Sequence, residues 1–68
     1  MEKLSEKLKE LRLEKGLSQK EVSTALGLTR NAFTNYENGY REPSLETLKK
    51  ICQFFDVSAD YLLGLKNY

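Results

Sequence analysis

Leu4, Leu8 and Leu11 recur at spacings of four and three residues. At about 100° per residue they form one stripe of a helix, which predicts a first helix over roughly residues 3–15. Glu2, Glu6, Glu10 and Glu14 recur every four residues on roughly the opposite face. Leu13 points away from the Leu stripe and reads as a singly exposed Leu, which is normal for a protein surface. Val22, Ala25 and Leu26 form a second stripe, and Ala32, Phe33 and Tyr36 a third. Leu48, Ile51, Cys52 and Phe55 share a fourth, and Tyr61, Leu62, Leu63, Leu65 and Tyr68 follow as more apolar residues than a five-residue fifth helix can bury alone. Nowhere do apolar and polar residues alternate cleanly for four or more positions, so no strand is expected.

Cap chemistry sharpens the boundaries. Ser18 followed by Glu21 has capping-box spacing, with Leu17 and Val22 as a hydrophobic staple. Thr29 is expected to cap the third helix, with Leu28 and Phe33 as its staple. Ser44 after Pro43 and Ser58 after Val57 mark the fourth and fifth starts. Gly16, Gly27, Gly39 and Gly64 each stand one step past a helix-like run. Between the second and third helices lie only Gly27 and Leu28 before Thr29, the connection of a helix-turn-helix. The result is an all-α, compact five-helix domain over residues 1–68, with its helix-turn-helix at about 18–38.

Composition agrees and excludes several kinds of function. The 68 residues include 12 Leu but only two Val and one Ile, a bias toward helix. There is no His, which removes the commonest metal ligand and general base; neither a metal nor another cofactor is expected, and no enzyme chemistry assembles. A single Cys, Cys52, cannot close an internal disulfide and is expected to pack as a small apolar residue. No apolar run reaches membrane-spanning length, and Met1–Leu8 mixes Glu with Lys, so neither a membrane helix nor a signal peptide is expected. A cytoplasmic protein without a small-molecule ligand is the expectation.

The third helix changes the picture most. Its outer face carries Arg30, Asn31, Thr34, Asn35 and Asn38, without a carboxylate. Arg pairs in bidentate fashion with guanine and Asn with adenine, and a Thr methyl can touch the thymine methyl. An ordinary solvated face carries Glu and Lys, as the first helix does. Phe33 and Tyr36 lie on the inner face and read as core residues rather than stacking platforms.

The run from Leu17 to Gly64, LSQKEVSTALGLTRNAFTNYENGYREPSLETLKKICQFFDVSADYLLG, together with KLKELRLEKGLSQ before it, resembles the phage-repressor/Cro type (XRE class) helix-turn-helix family. The resemblance rests on the Gln-x-Glu start, the Gly of the turn, Glu-Asn-Gly, Pro-Ser-Leu and Asp-Tyr-Leu-Leu-Gly. It implies a regulator that binds double-stranded operator DNA as a homodimer, with the second helix over the backbone and the third in the major groove. By that resemblance Arg30, Asn31 and Asn35 fall on base-reading positions, with Thr34 beside them. Ser18, Gln19, Thr29, Asn38 and the backbone after Gly39, including Tyr40 and Arg41, fall on phosphate-positioning ones. At the position of Gln19 the family's Gln sometimes also touches a base edge, or instead braces the first reading residue. Arg12 and Glu37 fall on positions that often form an ion pair.

Three departures from the pattern stand out. Tyr40 replaces a common Lys or Arg, with Arg41 next to it to supply the charge. Ser23 replaces a usual Ala, so its hydroxyl needs a partner. The first residues carry no basic arm, so no minor-groove extension is expected. Leu62, Leu63, Leu65 and Tyr68 are candidates for a dimer surface, the rival reading being that they close the monomer core. A second function class is a protein-interaction module, such as an antitoxin or anti-repressor, using the acidic stripe of the first helix. The net charge of +1 hides its placement: residues 18–41 carry three positive and two negative charges, residues 42–68 three and four. Near-neutrality implies weak non-specific DNA affinity and reliance on base contacts and dimer geometry.

Overall fold

The computed structural model describes residues 2–66. Among these, five helices and no strand occur: α1 (Glu2–Glu14), α2 (Gln19–Ala25), α3 (Ala32–Glu37), α4 (Leu45–Phe55) and α5 (Ala59–Leu62). Each helix contributes one apolar residue without exposed surface: Leu8, Val22, Phe33, Ile51 and Leu62. Leu4, Leu11, Leu26, Leu48 and Phe55 complete the core, and Leu17, Leu28, Tyr36, Cys52 and Phe54 pack around it. Five helices of 4 to 13 residues are too short to persist alone, so this shared core holds them. α1 packs on α3 and α5, α2 on α3, and α4 on α5. Lys7 reinforces the α1–α5 contact: its Nζ donates to the Tyr61 carbonyl and lies 4.7 Å from the centre of that ring.

The capping signals act where the sequence places them in α2, α4 and α5. Ser18, Ser44 and Ser58 each accept from a backbone N–H three residues on, and Ser18 with Glu21 forms the full capping box. These bonds from Ser18 hold the Glu21 pKa below its ordinary value. The third start differs. α3 begins at Ala32, with Asn31 rather than Thr29 at its cap position, and the Asn31 side chain makes no cap bond. Residues 29–31 form a tight turn in which the Ala32 N–H donates to the Thr29 carbonyl at 3.1 Å. The Thr29 hydroxyl is not needed as a cap because α2 supplies one: Ser23 Oγ accepts from the Phe33 N–H at 3.1 Å. That bond also satisfies the hydroxyl of Ser23, which is fully buried.

The α2–α3 turn closes by paired bonds from Gly27 N to Thr24 O (3.1 Å) and Leu28 N to Ser23 O (2.8 Å). Gly27 sits at φ 71°, a left-handed backbone that disfavours a Cβ. At the end of α4 the same left-handed position is filled by Asp56 at φ 55°, the one non-glycine in that region among the described residues. No glycine marks that stop, so it is not visible as a helix end in the residue types. Leu13 is exposed and Cys52 half-buried against the core. Burial pushes the Cys52 thiol pKa up, which disfavours the reactive thiolate.

Candidate nucleic-acid interface

α3 is held at the surface from two sides. Phe33 and Tyr36 anchor it to the core, their rings meeting edge to face at 6.3 Å, and Phe33 also contacts the Phe55 ring of α4 at 6.2 Å. With that face buried, the opposite face of a six-residue helix turns outward. Arg30, Asn31 and Asn38 are exposed, while Thr34 and Asn35 are half-buried. Asn35 also organises the loop after α3: its carbonyl accepts from the N–H groups of Tyr40 (3.0 Å) and Arg41 (3.3 Å). Both side chains of that loop project into solvent, Tyr40 at 78% exposure. Thr29 is exposed beside Arg30.

A polar network pins α3 to α1 and α2. Arg12 Nε donates to Glu37 Oε2 at 2.6 Å and Arg12 Nη2 to Glu37 Oε1 at 3.1 Å, a bidentate pair. Arg12 Nη1 donates to the Leu17 carbonyl at 2.8 Å. Gln19 Nε2 donates to the same Glu37 Oε1 at 3.1 Å, and the Thr34 hydroxyl donates to Gln19 Oε1 at 2.9 Å. The hydrogen bond to Glu37 raises the Arg12 pKa above its ordinary value; burial opposes the rise and the carboxylate's charge adds to it. The side chains of Arg12 and Glu37 are only 11% and 2% exposed. Glu37 is the one acidic residue between Thr29 and Arg41, and the network covers it. Arg30 lies in the turn before α3, not on the helix face where periodicity places it, with Asn31 and Asn38 at the two cap positions. The surface around α3 therefore presents this one Arg and neutral polar groups.

Several expected site residues meet here and others do not. Ser18, Gln19 and Asn38 line one open concavity of about 400 Å³ together with Lys9, Arg12 and Glu37. Sequence reasoning misses Lys9, although its three-residue spacing from Arg12 puts both on one face of α1. Ser18 is engaged on both sides, its Oγ by the Glu21 N–H and its own N–H by Glu21 Oε1. The Gln19 amide reaches Thr34 and Glu37 rather than Arg30 or Asn31. Leu62 must be removed from the candidate dimer surface: it has no exposed surface because it closes the monomer core. Leu63 and Leu65 are 37% and 71% exposed and Tyr68 lies outside the described residues. Among the described residues no acidic or Cys cluster is arranged to hold a metal ion, and no helix is long and apolar enough to cross a membrane.

A short turn between α2 and α3, with the second helix anchored to the core by one face, defines a helix-turn-helix domain. The sequence model of the helix-turn-helix family matches residues 8–62, and the chain belongs to that family. It is 44% identical over 61 residues to the HTH-type transcriptional regulator ImmR of Bacillus subtilis, covering 90% of this chain and 48% of ImmR. It is 51% identical over 59 residues to an uncharacterized HTH-type transcriptional regulator, YqaE, of the same organism, covering 87% and 51%. It is 40% identical over 53 residues to the cryptic phage CTXphi transcriptional repressor RstR of Vibrio cholerae, covering 78% and 48%. The chain spans about half the length of these relatives.

Proposed function

We propose that the chain is a sequence-specific, double-stranded-DNA-binding transcriptional regulator that represses by occupying a two-fold operator as a homodimer. The observation that carries this reading is the surface at the two ends of α3: exposed Arg30 and Asn31 before it and Asn38 after it, with the neighbouring Glu37 carboxylate covered by Arg12. A surface carboxylate there would repel phosphates. In this reading α3 enters the major groove, where Arg30, Asn31 and Asn35 read base edges. Asn38, Tyr40, Arg41, Ser18 and Thr29 set register on the backbone, together with Lys9, which lines one concavity with Ser18 and Asn38. Two copies place their α3 helices in successive major grooves about 34 Å apart. The exposed Leu63 and Leu65 are candidates for the two-fold contact. Occupancy of a promoter then excludes polymerase.

Selection of bound sites from random duplex DNA tests the reading. The expected product is a two-fold-symmetric sequence with half-sites one helical turn apart. Recovery of unenriched sequence overturns it. Sedimentation of a chain truncated after Gly64 tests the interface, and unchanged association removes Leu65 and Tyr68 from it.

A further inference from the structure

The network behind α3 fixes which way Thr34 can hydrogen-bond. Arg12 has only donors and the ionised Glu37 carboxylate only acceptors, so the chain of bonds has a direction. Glu37 Oε1 must meet the NH₂ group of Gln19, because the reversed amide would place two acceptors 3.1 Å apart. With its NH₂ held by Glu37, Gln19 offers Oε1 to Thr34, and the only hydroxyl proton of Thr34 is taken at 2.9 Å. What remains on the Thr34 oxygen is lone pairs.

We infer that Thr34 is a specificity-determining residue that reads DNA as an acceptor only, with Gln19 as the positioning residue that sets this polarity. The inference rests on the proposed major-groove role of α3. The groove donors that an acceptor can meet are the exocyclic amino groups of adenine and cytosine. A transition at the contacted base, adenine to guanine or cytosine to thymine, puts a keto oxygen in the same place. Two acceptors then face each other. Without Gln19 the Thr34 hydroxyl rotates and donates to that oxygen, and discrimination disappears.

The test compares wild type, Thr34→Val, Thr34→Ser and Gln19→Met by site selection and by competition gel shifts with transition-substituted duplexes. Thr34→Val identifies the base pair by altering preference there alone. At that pair wild type and Thr34→Ser favour adenine or cytosine over the transition partner by about 3- to 10-fold, the range of one neutral hydrogen bond. Gln19→Met brings that ratio close to one while preferences at other pairs persist, a pattern that general loosening of the fold does not produce. Thermal melting establishes that each variant is folded, and the Val and Ser pair tests the polarity without touching the network's centre. The inference is overturned if wild type favours guanine or thymine at the pair, if Thr34→Val weakens all sequences alike, or if Gln19→Met leaves the ratio intact. Failure of wild type to select any sequence overturns the DNA-reading role itself, a result distinct from these three.

Discussion

Glu37→Ala should be among the most damaging single changes on the polar side of this fold. The carboxylate accepts two bonds from Arg12 and one from Gln19, at 2.6, 3.1 and 3.1 Å. Its loss leaves a guanidinium that is 11% exposed without its counter-charge. Truncating one partner of a fully buried pair costs about 3–5 kcal/mol. Arg12 retains the Leu17 carbonyl and a narrow route to water, which places the expected loss at about 2–3 kcal/mol. A domain of this size has roughly 3–10 kcal/mol of total stability, so the variant sits close to unfolding. Thermal unfolding followed by circular dichroism should show the midpoint falling by roughly 10–20 °C, given about 4–8 °C per kcal/mol for a small domain. Raising the salt concentration from about 0.1 to 1 M should change the loss little, because a covered pair is weakly screened. Replacing both partners, Arg12→Met with Glu37→Leu, should recover much of the loss, since no charge is stranded. A loss for Glu37→Ala below about 1 kcal/mol, or one halved by salt, would refute the reasoning and class the pair with exposed surface bridges.

Single contacts have consequences of their own. Ser23→Ala strands the Phe33 N–H in the first turn of α3, and urea unfolding should show a loss of about 1–2 kcal/mol although only one hydroxyl is removed. Glu21→Gln keeps the capping geometry but removes a carboxylate whose folded pKa is lowered, so it alters the acid side of the stability profile. In the wild type that contribution is complete above the unfolded carboxylate range and is lost as pH falls through the lower folded value. The variant's stability should therefore decline less steeply below about pH 5, as measured by urea midpoints across pH. On DNA, Asn31→Ala should weaken specific binding by about 1–3 kcal/mol and relax one base pair. Arg41→Ala should instead weaken all sequences alike and reduce the salt slope by about one. Identical behaviour of the two across operator variants would sink the division into reading and positioning residues.

Residue types alone determined much of the local structure. The Leu stripe of α1 follows from helical period alone, and the Ser18–Glu21 box, the serine caps of α4 and α5 and the glycine stops depend on contacts within a few residues. Such contacts are legible because the partners are sequence neighbours. The carboxylate-free outer face of α3 was legible for the same reason, as a matter of helical periodicity. Three features needed the tertiary structure. The start of α3 moved from Thr29 to Asn31 because its cap comes from Ser23 on another helix, ten residues away. Leu62 left the dimer surface because only packed helices reveal which leucines close the core. The polarity of Gln19 and Thr34 arises where side chains from α1, α2 and α3 converge. Periodicity assigns a residue to a face, but the direction of a hydrogen bond depends on the charge of the next group in line. In this chain that group, Glu37, acts on Thr34 only through Gln19 of a different helix.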